Sequence, residues 1–179
     1  VCRWMADPNE LGVSALKRLA KYLIGKPRLL WHYRWQQHIE LDTYSDTDWA
    51  GCIRTRQSTS GGCIMLGKHV VESWSSTQSS TTLSSAEAEL YALLKGAAQT
   101  LGLVSMAADF GDTLQGGLWS DASAAIAISQ RSGLGKLTNI QTQYLWPRQR
   151  VSAKELKLNK VLSTANPADM LTTRLANAE

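Results

Sequence analysis

The chain is poor in the residues that many sites are built from. It has three cysteines, Cys2, Cys52 and Cys63, an odd number without metal-ligand spacing. A disulfide framework is excluded on that count, and reduced thiols in an intracellular protein are expected. The three histidines, His32, His38 and His69, form no pair with zinc spacing. No apolar run is long enough to span a membrane, so no membrane partner is expected. No Gly-rich phosphate loop, nucleophile elbow or internal repeat is present. The sequence opens Val1-Cys2-Arg3-Trp4 without a signal-peptide pattern, and without Met, as expected of a piece of a longer polypeptide.

The 179 residues suffice for one core-bearing domain with an appendage, and a hydrophobic content of 44% argues against disorder. The net charge of +4 is unevenly spread. Residues 1–38 carry seven Lys/Arg against two Asp/Glu, and a second basic cluster runs over 131–160. Basic surface around an acidic centre suits a nucleic acid held by its phosphates, although charge alone is equally a solvated face.

Residues 9–24 pattern as an amphipathic helix, with Leu16, Leu19, Ala20 and Leu23 as its apolar stripe, stopped by Gly25 and Pro27. Residues 29–35 alternate, with Trp31, Tyr33 and Trp35 on one side, and predict a strand. A second alternating run, 39–46, ends at Asp46. Residues 60–77 predict a hairpin turning at Gly67-Lys68. Ser84 and Glu87 form a capping box opening a helix to about Phe110, with Glu89 on the same face as Ala92, Leu93 and Gly96. A strand ending near Ser120, a helix over 123–130, helical composition over 138–153, a strand over 155–161 and a last helix begun by Pro167 complete the α/β order.

Four acids fall at the ends of different elements: Asp46, Glu89, Asp121 and Asp169. Gathered in one place they would repel one another and require cations. Oxygen ligands suit hard ions such as Mg²⁺, and two such ions in one acidic site can cleave phosphodiesters. If the strands of Asp46 and Asp121 are parallel neighbours, all four carboxylates can meet at one sheet edge. Each also has a bland account, as a turn residue, a helix cap or a first-turn Asp favoured by the helix dipole.

Tyr44-Ser45-Asp46-Thr47-Asp48-Trp49-Ala50-Gly51, Arg56-Gln57-Ser58-Thr59-Ser60-Gly61-Gly62, Trp74-Ser75-Ser76, Leu83-Ser84-Ser85-Ala86-Glu87-Ala88-Glu89 and Asn166-Pro167-Ala168-Asp169-Met170-Leu171-Thr172 resemble the ribonuclease H domain of copia-type (LTR) retrotransposon Pol polyproteins. Residues 8–27 are similar to the end of the reverse transcriptase that precedes it. The resemblance implies a ribonuclease H-like fold: a mixed five-stranded sheet with flanking helices, plus a short N-terminal helix–strand appendage. It implies a reverse transcriptase tail over 1–38, a nuclease domain over 39–175 and a tail over 176–179. The implied activity is cleavage of the RNA strand of RNA–DNA hybrids during reverse transcription. The partners are the hybrid and the reverse transcriptase of the same polyprotein. The setting is intracellular and cytoplasmic, in a virus-like particle where the element is active. Asp46, Glu89, Asp121 and Asp169 are the implied catalytic acids and ligands of two Mg²⁺, with Mn²⁺ as a substitute. Arg54, Arg56, Lys68, Arg148 and Arg150 are candidate phosphate contacts.

Three departures cluster late in the chain. A basic-His-Ile-Asp string is replaced by Thr138-Asn139-Ile140-Gln141, an apolar helical residue by Pro147, and Thr-Lys by Thr172-Thr173. They support an alternative: a catalytically impaired relic acting at most as a nucleic-acid-binding or connection module. Pro147, placed inside one helix over 138–153, is expected to be the weakest point of the fold unless the chain breaks near Trp146 and restarts there. A transposase or integrase core ranks lower, because its Glu belongs on a late helix.

Overall fold

The computed structural model describes residue 5 and residues 7–37, 40–130 and 146–173. The chain divides into two units, Val1–Trp35 and Gln36–Glu179.

In the first unit, helix α1 spans Glu10–Ile24. Asn9 caps it by accepting the Gly12 N–H at 2.9 Å, and Lys26 lies 5.4 Å over the Tyr22 ring just past its end. Residues 28–37 form no strand, which corrects the expectation over 29–35. Alternation marks two faces of an extended chain, but a strand also needs a neighbour for its N–H and C=O groups. No strand ladder forms here among the described residues, and Trp31, Tyr33 and Trp35 are exposed. The appendage is a helix followed by an irregular segment.

The second unit is built on a mixed five-stranded sheet. The strands are β1 (Glu40–Asp48), β2 (Thr59–Leu66), β3 (His69–Thr77), β4 (Gln115–Ser120) and β5 (Leu156–Lys160), in the order β3-β2-β1-β4-β5. β1 to β3 form an antiparallel meander, while β4 runs parallel to β1 and β5 parallel to β4. The β2–β3 turn is Gly67-Lys68 as expected, with Gly67 at φ 58°, a conformation open to a residue without Cβ. Helices α2 (Ser85–Asp109), α3 (Ser123–Gln130) and α4 (Trp146–Ser152) flank the sheet.

Helix α2 starts at the expected box. The Ser84 hydroxyl accepts the Glu87 N–H at 3.2 Å, and Glu87 Oε2 reaches back to the Leu83 N–H at 2.8 Å. Its inner face, including Ala92, Leu93, Gly96 and Ala97, is buried. Leu93 and Ala97 join Leu118, Ala125 and Leu156 in the core. Gly116 lets α2 come close to the sheet: a Cβ there would stand 2.6 Å from Leu156 Cδ2 and 2.8 Å from Thr100 Cγ2.

Two other helical expectations change. Helix α4 begins at Trp146, which puts Pro147 in its first turn, where a missing N–H costs nothing. The earlier part of 138–153, with Thr138-Asn139-Ile140-Gln141, lies outside the described residues. Asp169 sits in a short 3-10 turn, Asp169–Leu171, preceded by another, Ser163–Ala165. Within the described residues no longer helix follows Pro167.

Candidate metal centre

The parallel pairing of β1 and β4 brings their C-terminal ends together. The β1–β4 ladder stops at Tyr44↔Trp119, while the β1–β2 ladder continues through Asp46↔Gly61 to Asp48↔Thr59. One edge of β1 is therefore free of strand pairing past Tyr44. The Glu89 carboxylate enters there from the second turn of α2 and accepts the Thr47 backbone N–H. Asp121 follows directly on the last residue of β4. Oxygens of Asp46, Glu89 and Asp121 all lie within 4.8 Å of one another.

These three acids come from segments far apart in sequence, and the environment of Asp46 and Glu89 opposes their ionisation. Burial raises the pKa of Asp46, and the charges of Asp121 and Asp169 add to it against a hydrogen bond from the Thr172 hydroxyl. Glu89 is pushed up to about 8 by burial and then by Asp46 and Asp121. Its Oε2 is buried and has no hydrogen-bond partner among the described residues. A buried carboxylate oxygen without a donor is costly, so this atom fits a cation ligand. The all-oxygen donor set fits Mg²⁺ or Mn²⁺ rather than a softer ion.

Asp169 stands apart from the three-acid group. Its charge acts on Asp46 and it lines the same cleft, but its Oδ1 accepts the Thr173 hydroxyl at 3.0 Å. The cleft holds about 460 Å³ and is walled by Asp46, Thr47, Asp48, Trp49, Asp169 and Thr172, among others. Gly61 makes this approach possible. A Cβ there would lie 2.7 Å from Thr172 Cγ2 and 3.1 Å from the Ala168 carbonyl, so the 168–172 turn packs flat on β2 opposite Asp46. Asn166 anchors the turn by donating to the Ser45 carbonyl at 3.0 Å.

The candidate phosphate contacts scatter. Arg54 and Arg56 are exposed on the loop that follows the cleft residues Trp49 and Gly51, with Arg56 at φ 57°. Lys68 sits in the β2–β3 turn beyond Leu66, itself five residues along β2 from Gly61, so it lies roughly 17 Å or more from the acids. Arg150 donates from a single nitrogen, Nη1, to both carboxylate oxygens of Glu155, at 2.9 and 3.1 Å, and lies over the Trp146 ring. Arg148 is half-buried on α4.

Sequence reasoning gave no role to Thr172, Thr47 or Gln78. Thr172 carried one usable signal, its place three residues after Asp169. Gln78 carried none.

No known protein-family profile matches the chain. It is 29% identical over 174 residues to the retrovirus-related Pol polyprotein from transposon TNT 1-94 of Nicotiana tabacum, covering 96% of this chain and 13% of that polyprotein. It is also 29% identical over 178 residues to the retrovirus-related Pol polyprotein from transposon RE1 of Arabidopsis thaliana, covering 97% of this chain and 12% of that one. The chain thus spans about an eighth of the length of these relatives. Among solved structures it is similar to LC11-RNase H1, isolated from compost by a metagenomic approach, with a TM-score of 0.54, 16% identity, and coverage of 74% of this chain and 92% of that one. The same protein in complex with an RNA/DNA hybrid aligns with a TM-score of 0.50 and 16% identity over 73% of this chain and 92% of that one. At that identity the likeness speaks for the fold. Over most of the chain its homologues are retrovirus-related Pol polyproteins of plant transposons, and its mixed five-stranded sheet with flanking helices is that of ribonuclease H domains.

Proposed function

We propose that residues 39–175 form a metal-dependent endonuclease that cleaves the RNA strand of RNA–DNA hybrids during retrotransposon reverse transcription. The observation that carries this reading is the meeting of Asp46, Glu89 and Asp121 within 4.8 Å, with Glu89 Oε2 buried and unpartnered among the described residues. Asp46, Glu89 and Asp121 would hold one divalent cation, and Asp46 with Asp169, which line the same cleft, would hold a second. Such ions, when bound, supply the charge that activates a water and stabilises a leaving 3′ oxygen. The chain's own part is positional. The end of β4 admits Glu89 to the edge of β1, and Thr172 orients one Asp46 oxygen. Trp49 and Thr47 wall the cleft beside the acids. Selection of RNA over DNA rests on contacts to 2′-hydroxyls along this wall. Residues 1–38 are the end of the preceding reverse transcriptase, and the setting is intracellular.

A labelled RNA–DNA hybrid, with and without Mg²⁺, tests this. Cleavage of the RNA strand is expected only with metal, and Asp46→Asn abolishes it. The position of Asp169 outside the three-acid group favours a second reading, a binding module without cleavage. Its signature is metal-independent hybrid binding with intact RNA, and that result would overturn the nuclease.

A further inference from the structure

Gln78 is a nearly fully buried polar side chain that the proposed chemistry does not use. It lies just past the end of β3, where its backbone N–H donates to the Ser58 carbonyl at 2.8 Å. Its side-chain amide donates twice, to Ser60 Oγ at 2.8 Å and to the Ala88 carbonyl at 2.9 Å. Ala88 immediately precedes Glu89 and lies inside α2, so its carbonyl already has a helical N–H to accept. It also accepts the Thr47 hydroxyl at 3.3 Å. Thr47 in turn faces Ser60 across the β1–β2 ladder, and its backbone N–H holds the Glu89 carboxylate. Gln78 thereby closes a ring of bonds from β2 to α2 to β1, with Glu89 next to its anchor point.

The other end of the amide argues against a purely stabilising role. Gln78 Oε1 is buried with no hydrogen-bond partner among the described residues. Leaving such an acceptor unmet opposes folding, and an apolar side chain of similar length would remove that opposition. The two N–H bonds it would sacrifice go to acceptors that have other partners or face a rotatable hydroxyl.

We propose that Gln78 is a positioning residue. It fixes the Ala88 carbonyl, and with it the second turn of α2, so that Glu89 is presented to the cation beside Asp46 and Asp121. This inference rests on the nuclease reading above, since it assigns Gln78 to the same centre.

The test is Gln78→Met, which keeps the length and loses the amide. Mn²⁺ binding to the free protein is measured by calorimetry, melting temperature in EDTA is recorded alongside, and hybrid cleavage is split into kcat and KM. Expected are at least tenfold weaker Mn²⁺ binding, kcat down tenfold or more, KM within about twofold, and a metal-free melting temperature equal to or above the parent's. A structural role moves stability down and leaves Mn²⁺ affinity alone, and that pattern overturns the proposal. Thr47→Val removes the other side-chain bond to the same carbonyl while keeping its shape. It should weaken Mn²⁺ binding in the same direction, and it carries the test if Gln78→Met does not fold. Parent protein that binds no Mn²⁺ sinks the nuclease reading and this inference together. Parent protein that binds Mn²⁺ while both variants match it sinks the positioning role alone.

Discussion

Replacing Glu89 by glutamine should make the metal-free protein more stable at alkaline pH and useless as a metal centre. Burial beside Asp46 and Asp121 moves Glu89 from an ordinary 4.5 up to about 8. The folded state therefore holds the proton more tightly than the unfolded chain. The resulting stability is fully present below the unfolded value of 4.5 and is lost as pH rises through the folded value of about 8. At about 1.4 kcal/mol for each tenfold change in the ionisation constant, that interval corresponds to a ceiling of about 5 kcal/mol. Because Asp46 shares the repulsion and its proton affinity shifts the same way, a loss of about 2–4 kcal/mol assigned to Glu89 is a more reasonable expectation. For a domain of this size 1 kcal/mol is worth roughly 2–5 °C. Glu89→Gln carries no charge and should escape the loss. Melting curves in EDTA between pH 5 and 9 should show parent and variant converging at the acid end. At pH 8.5 the variant should melt several degrees higher. Adding Mg²⁺ or Mn²⁺ at pH 8.5 should raise the parent and leave the variant nearly unmoved. A parent curve flat across this range, or a variant no more stable than the parent at pH 8.5, would refute the buried-carboxylate account.

Gly61→Ala places a methyl group against Thr172 and the Ala168 carbonyl. It should cost about 1–3 kcal/mol in chemical denaturation and weaken Mg²⁺ binding by displacing the turn that carries Asp169. Pro147→Leu should leave the melting temperature unchanged or slightly lowered, because Pro147 occupies a first helical turn; a rise of several degrees would restore the interior-helix account. A chain beginning at Gln36 should unfold in one cooperative transition. Gln36 ties the β2–β3 turn through the Leu66 carbonyl at 2.6 Å and the Lys68 N–H at 3.3 Å, so starting one residue later should lower its melting temperature. Lys68→Ala should leave hybrid affinity and its salt dependence unchanged, whereas Arg54→Ala should reduce the slope of log affinity against log salt by about one.

Local chemistry made much of the fold legible. The Ser84–Glu87 box fixes where α2 starts, because a cap is decided within four residues. Gly67-Lys68 between two alternating runs gives the β2–β3 hairpin for the same reason. The position of Glu89 on the small, apolar face of α2 indicated that it would emerge near the strand ends, and it lies there beside Asp46 and Asp121. The sequence alone thus determined the order of the five strands with α2 and α3, and which acids needed company. Other features depended on groups that meet only when the chain folds. Alternation at 29–35 suggested a strand, but pairing needs a neighbour that no local pattern supplies. Arg150 looked free to meet phosphate until Glu155 stood opposite it. Lys68 sits in the turn that follows β2, and only the antiparallel register of β2 on β1 puts that turn at the end of the sheet away from Asp46. The placement of Asp169 was decided by a glycine on β2 that admits the 168–172 turn, and the bearing of Glu89 by an amide from the end of β3. The first joins segments distant in sequence and the second joins residues ten apart in different elements, and both are set by steric fit and hydrogen-bond reach in three dimensions.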